Sequence, residues 1–271
     1  MNGGIERVVV PLDAAAENRA AIETGARMAE RTGARLHGIF VEDEELLHIA
    51  ALPFTRQLAP GVGAQPFTVE DTELHLKAAA ERTRRELIAT ARRHRVDASF
   101  EVIRGGPAAA LSGISERDLV VAGALCRPVA GHFRVECRWW SYIEIVPAPV
   151  LLARHKPRGG GPVAILLRDR SAASARLLAA AARVAEAGGG EMTVICPPAL
   201  AGAADFSEWL VEQFVGYQVR LRVEAAPGEP EALRYRIAEL GCQLVAVAAA
   251  GSLHGLRDFV ERFACDVLIV R

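Results

Sequence analysis

The chain has 271 residues, 51% of them apolar, with 32 Lys and Arg against 33 Asp and Glu and a formal charge of -1. That length suits one large domain or two small ones, and the charge balance gives no electrostatic case for nucleic acid or an anionic membrane as a partner. The opening MNGGIERVVV lacks the basic, apolar, small-residue order of a secretory leader, and no apolar run nears a bilayer span. A cytoplasmic protein with no membrane insertion is the expectation. Five cysteines, Cys126, Cys137, Cys196, Cys242 and Cys265, include no C-x-x-C pair and are odd in number, which fits reduced and mostly buried thiols.

IERVVVPLD (5–13) reads as an apolar strand ending at Asp13. The next stretch, 14–33, places Ala20, Ala21, Thr24, Met28 and Ala29 at helical spacing and stops at Gly33. ARLHGIFV (34–41) is a second strand, and residues from about 42 to 69, with Pro53, Pro60, Gly61, Gly63 and Pro66, read as a long irregular insertion. A charged helix over 70–94, a third strand over 97–105, a short helix over 106–115 led by Pro107, and strands at 118–123 and 148–154 complete the series. HKPRGGGP (155–162) reads as a glycine-rich linker, which sets domain boundaries at 1–154 and 163–271. Beyond it come strand 163–169, helix 170–190, strand 191–198, helix 205–215, strand 217–225, helix 228–241, strand 242–251, helix 253–264 and strand 265–271.

The halves align by residue type. VVPLDAAAENRAAI parallels ILLRDRSAASARLL, matching Asp13 to Asp169, and APVLLAR parallels CDVLIVR, matching Arg154 to Arg271. Short apolar strands alternating with helices predict two tandem doubly wound α/β domains, each a five-stranded parallel sheet covered on both faces. Small halves of this kind benefit from burying surface against each other.

In order and residue type, ERVVVPLDAAAENRAAIETGARMAERTGARLHGIFV, DLVVAGAL, PAPVLLAR, VAILLRDRSAASARLL, PEALRYRIAELGCQLVAV and CDVLIVR resemble the universal stress protein family, in its tandem form, over nearly the whole chain. The resemblance implies a Rossmann-like, adenine nucleotide α-hydrolase-like fold whose fifth strands meet across a pseudo-twofold axis, as in that family's dimers. One chain would then be an intramolecular pseudo-dimer, with homodimerisation left open. It also implies, for ATP-binding relatives, a G-x2-G-x9-G-S/T loop after the fourth strand and an Asp at the end of the first strand near the adenosine.

Against that pattern Gly123 keeps the first glycine, Cys126 replaces the second, nine residues follow from Arg127 to Val135, and Glu136 and Cys137 stand at the Gly-S/T position. Glycine serves such loops because the backbone must approach phosphate closely. A side chain at Cys126 obstructs that approach, and Glu136 sets a carboxylate against a polyphosphate. In the second half Ala248 and Gly251 take the glycine places, but Gly251 to Val267 is eight residues shorter than Cys126 to Val150.

These residues predict no ATP or AMP cofactor held in the family's manner. The alternative is an altered nucleotide or small-ligand cleft at Asp13, Gly105, Gly123, Arg127 and Arg134, with weak ATPase activity attached to it. The plainer roles are helix capping for Asp13 and Asp169, and a solvated or ion-paired face for Arg127, His132, Arg134 and Arg138. His132, Glu136 and Cys137 fall short of a zinc set, so no metal is expected, and Cys126 reads as an inert small residue. Trp139 and Trp140 point to different sides of a helix. One packs in the core, while the other, with Tyr142, fills a pocket or dimer contact. The 42–69 insertion reads as a lid or partner surface, or as a loop packed on its own domain. No G-x-S-x-G, H-E-x-x-H or Walker loop is present, so no catalytic residue is assigned. The functional expectation is a non-enzymatic stress-response regulator with an unidentified protein partner. An accessory of a membrane transporter is the other partner-based reading, and the hydrolase-like and electron-transfer flavoprotein-like chains share the general fold.

Overall fold

The computed structural model describes residues 4–14, 18–52, 56–59, 63–66, 68–123, 139–154, 161–186, 188–226, 229–249, 257, 259–260 and 262–271. The first half runs β1 (Arg7–Leu12), α1 (Asn18–Thr32), β2 (Arg35–Glu42), α2 (Glu44–Ala50), β3 (Arg56–Ala59), β4 (Gly63–Pro66), α3 (Val69–His94), β5 (Ala98–Arg104), α4 (Pro107–Ala110), β6 (Asp118–Gly123), α5 (Trp139–Ile145) and β7 (Val150–Ala153). The second runs β8 (Val163–Leu166), α6 (Ala172–Glu186), β9 (Glu191–Cys196), α7 (Pro198–Ala201), α8 (Phe206–Gln213), β10 (Arg220–Ala225), α9 (Pro230–Glu239), β11 (Leu244–Ala248) and β12 (Asp266–Val270).

Ten strands form one sheet in the order β10-β9-β8-β11-β12-β7-β6-β1-β2-β5. Every pairing in it is parallel except β12 with β7, where Val267, Leu268 and Ile269 oppose Leu152, Leu151 and Val150. Two five-stranded parallel units with the same strand order thus meet through their fifth strands. Two arginines reinforce the seam reciprocally. Arg154, just past β7, donates to the Val260 carbonyl at 2.5 Å, and Arg271, just past β12, donates to the Glu144 carbonyl at 2.5 Å.

Alternation along the strands sends side chains to two cores. Val8, Val10, Leu12, Phe40, Leu151, Ile165 and Leu268 pack with α1, α3, α6 and α8; Val9, Ile39, Val120, Leu152, Val245 and Ile269 pack on the opposite face. Both cores run across the seam. Tyr142 is buried in the second core, so it fills the interior and offers no exposed dimer contact. The side chains of Trp139 and Trp140 lie outside the described residues.

Local chemistry sets the element ends. The Thr68 hydroxyl accepts from the Asp71 amide at 3.1 Å and donates to its carboxylate at 2.6 Å, starting α3, and Arg95 ends that helix in the left-handed region at φ 56°. Gly38 lets the helix approach the sheet: a Cβ there would collide with Leu87 and stand 3.1 Å from Phe100 and 3.2 Å from Leu12.

The insertion corrects the expectation of an irregular stretch. The Asp43 side chain accepts from the Glu45 amide at 3.0 Å and starts α2, and β3 pairs antiparallel with β4 from Arg56↔Pro66 to Ala59↔Gly63. The prolines and glycines punctuate short elements and do not abolish them.

Candidate functional site

In a doubly wound sheet the ligand crevice opens outside the carboxyl ends of the strands where the strand order reverses. In the first half that place lies between β1 and β6. Asp13 follows β1 and Gly123 closes β6, so the structure brings these two together at the switch point. Asn18 fixes the Asp13 main chain. Its side-chain amide donates to the Asp13 carbonyl at 2.6 Å, and its carbonyl accepts from the Asp13 amide at 3.4 Å.

Gly105 is not at that point. It follows the edge strand β5, two strand spacings from β1, about 10 Å away. Its amide donates to the Glu42 carbonyl at 3.0 Å, its φ is +139°, and a Cβ would stand 3.3 Å from that of Ala109. These contacts make it a strand-to-helix turn. Arg127 and Arg134, with Cys126, His132, Glu136, Cys137 and Arg138, lie outside the described residues, as do residues 250–256 of the corresponding second-half loop.

The rim carries a charge cluster that inspection of the sequence passed over. Glu42 is 8% exposed at the end of β2, and Arg104 at the end of β5 reaches it through Nε and Nη2, both at 3.2 Å. Arg104 also meets Glu73 of α3 at 3.3 Å. The hydrogen bond and charge of Glu42 raise the Arg104 pKa against a small desolvation cost. The buried carboxylate at the mouth is thereby neutralised. The signal for it is the Glu42↔Arg104 register of β2 and β5, which emerges only when the strands pair. The insertion helix α2 packs against α3 on the flank of this rim, with Ala50 buried.

The whole architecture matches solved proteins. The chain aligns over 99% of its length with a universal stress protein from Archaeoglobus fulgidus DSM 4304, covering 97% of that chain at TM-score 0.69 and 15% identity. It has the universal stress protein fold. A putative universal stress protein from Pseudomonas aeruginosa UCBPP-PA14 aligns over 99% of this chain and 94% of its own, at TM-score 0.58 and 15% identity. No protein-family model matches the chain. No curated protein matches it.

Within this universal stress protein fold the second switch point lies between β8 and β11, where the turn at Asp169 is held by internal bonds. Asp169 accepts from the Ser171 amide at 2.9 Å and the Ser174 hydroxyl at 2.7 Å, while the Ser174 amide donates to Ser171 Oγ at 3.3 Å. Those hydrogen bonds, Ser171 first, hold the carboxyl below its ordinary range. Ser171 therefore caps α6, and Asp169 braces that cap through the Ser171 amide and the Ser174 hydroxyl. Beside it Arg170 pairs with Asp205 at 2.6 Å, tying this turn to the start of α8.

Among the described residues no group of three or more His, Cys, Asp or Glu side chains is set to hold a metal ion, and no helix is long and apolar enough to cross a membrane. Cys196 and Cys242 are buried and Cys265 is half-buried, all as free thiols. Burial raises all three pKa values, those of Cys242 and Cys265 to about 11.

Proposed function

We propose that this chain is a cytoplasmic stress-response regulator of the universal stress protein type that does not hold ATP in that family's manner. Its first-half crevice receives a different small ligand or a protein segment, and the 42–69 insertion contributes to the contact. The crevice is a binding site without chemistry of its own. The matched halves act as a built-in dimer within one chain.

The observation that carries this reading is the sequence at the first switch point. Gly123 sits at the strand end where a phosphate loop should begin, yet Cys126 and Glu136 occupy the later glycine positions with the spacing kept. A Cβ and a carboxylate there oppose a polyphosphate by volume and by charge. The second half supports it, because Asp169 is already engaged by Ser171 and Ser174.

Calorimetric titration of the full chain with ATP and AMP, with and without Mg²⁺, tests the proposal after a check for co-purified nucleotide. No heat and no carried nucleotide is the expected result. Cys126→Gly with Glu136→Gly should then create or strengthen nucleotide binding. Tight binding by the unaltered chain would overturn the proposal and assign the loop arginines to the phosphates.

A further inference from the structure

His37 on β2 bonds to a hydroxyl and to a carboxylate. Its Nδ1 lies 2.8 Å from Ser99 Oγ and its Nε2 lies 3.0 Å from Glu101 Oε1. A carboxylate only accepts, so in the neutral imidazole Nε2 carries the proton that bonds to Glu101, and Nδ1 then accepts from the serine hydroxyl. One neutral tautomer thus satisfies both contacts and leaves a free base aimed at a hydroxyl. Both distances fall within the roughly 2.6–3.2 Å reach of a nucleophile, its base and the group that orients the base.

The fold makes this array and leaves it open. Parallel pairing sets His37 directly opposite Ser99 and Ile39 opposite Glu101. These side chains share the face on which Ile39, Val41 and Ile103 enter the second core. The helix covering that part of the face, α4, has only 4 residues and lies beyond the carboxyl end of β5. His37 and Ser99 stand toward the amino ends of their strands, away from the crevice. The imidazole is 13% exposed and the Glu101 carboxylate 49%, while Ser99 is exposed, so a solute can reach Oγ while the base stays sheltered.

Arg7 on β1 lies on the same face with its charge paired to Asp118. Its Nε and Nη2 bind Asp118 at 3.1 and 2.9 Å, Nη2 also donates to the Gly113 carbonyl at 2.8 Å, and Nη1 has no hydrogen bond among the described residues.

The geometry points to an acyl-transfer site in which Ser99 is the nucleophile, His37 its base and Glu101 the residue that orients the imidazole, acting on small unhindered carboxylic esters. Ser99 Oγ bonds to the acyl carbon as its proton passes to His37 Nδ1, and the ester C–O bond breaks as the leaving alcohol takes that proton from His37, which returns the imidazole to its neutral form. Water, deprotonated by His37, then attacks the acyl-serine. The acid leaves and the proton returns to Ser99 Oγ. The net reaction is ester plus water to acid plus alcohol.

The test uses the full chain with p-nitrophenyl acetate and, separately, a fluorophosphonate with peptide mass mapping. The expected result is turnover above an equimolar imidazole control and an adduct on Ser99. Ser99→Ala should abolish the adduct and lower the rate about 100-fold, the scale of a positioned base and nucleophile. His37→Gln keeps hydrogen-bonding groups but accepts no proton, and should do the same. Ser207→Ala, on α8 in the other half, should change neither readout. No adduct on Ser99 in the unaltered chain overturns the proposal without recourse to any variant. So does turnover that survives Ser99→Ala but not His37→Gln, which would assign hydrolysis to the imidazole alone. Because the array is distant from the crevice, nucleotide binding there bears on neither outcome.

Discussion

His94 ends α3 between two carboxylates of α1, with Nδ1 2.7 Å from Glu30 and Nε2 3.1 Å from Glu23. Arg93 joins the cluster through Glu23 at 3.0 Å, and Arg27 also faces Glu23. Only an imidazolium can donate from both nitrogens, so this contact between helices is a charged clamp. Burial opposes the charge on His94, but hydrogen bonds to Glu30 and Glu23 outweigh it and hold the pKa above its ordinary 6.5. Burial likewise opposes the charge on Glu23, and the hydrogen bond from His94 with the charges of Arg93, His94 and Arg27 holds its pKa below the ordinary 4.5. A raised histidine contributes stability that is complete below its unfolded value and fades as pH rises through the folded one. A lowered glutamate contributes stability that is complete above its unfolded value and fades as pH falls through the folded one. Both contributions are complete between 4.5 and 6.5.

The perturbation is His94→Gln. Each half-exposed pair is worth about 0.2–1 kcal/mol after solvent screening, so the two together contribute about 1 kcal/mol. For a chain of this size that shifts the melting temperature by about 2–4 °C. Thermal melts of both proteins at about pH 5.5 should show that gap, and at about pH 8.5, where an ordinary imidazole is neutral, it should narrow by half or more. A gap equal at both pH values, or no gap at about pH 5.5, refutes the argument that the clamp works through charge.

Gly38→Ala should destabilise the chain by about 1–3 kcal/mol, the scale of overpacking, because Leu87, Phe100 and Leu12 already fill the space. Urea denaturation checks this, and a loss under about 0.5 kcal/mol would mean that α3 lifts from the sheet freely. Cys242 and Cys265, with pKa values pushed up to about 11, should resist iodoacetamide at neutral pH until denaturant is added. Mass-mapped alkylation at those two positions in the folded chain would contradict it.

The parts of this fold legible in the sequence are those governed by local pattern. Apolar strand runs, the stop at Gly33 and the matched order of the halves all predict elements the structure contains. The switch-point crevice follows from that order, which is why Asp13 and Gly123 coincide with it. The groups that were not legible depend on register between distant strands. Glu42 with Arg104, and His37 with Ser99, stand 62 residues apart in sequence and meet only because β2 and β5 pair in parallel. That Gly105 follows the edge strand, two strands from Asp13, is likewise set by strand order and has no local signal in the sequence. The insertion hid α2 and its hairpin because short elements between prolines show too few residues for a period to emerge.

The two halves carry the same carboxylate at the same place, and their neighbours decide what it does. Residue pairing along the halves sets Asn18 against Ser174 and Ala15 against Ser171. Asn18 is long enough to bracket the Asp13 main chain through its own amide, whereas Ser174 is short and donates to the Asp169 carboxylate itself. The double change Ser171→Ala with Ser174→Asn should therefore give the second half the first half's arrangement. The hydrogen bonds that depress Asp169 are those from Ser171 and Ser174, so its pKa should rise toward the ordinary 3.8. The lost Ser171 cap should cost about 0.5–2 kcal/mol at any pH, and the smaller contribution of the bonds to the Asp169 carboxylate is present above the ordinary carboxyl value and fades as pH falls through the depressed one. Carbon-detected NMR titration of the Asp169 carboxyl reads the first quantity and urea denaturation the second. An unmoved pKa would mean that the main chain of the turn itself holds the carboxylate, and that the serine hydroxyls are incidental to it.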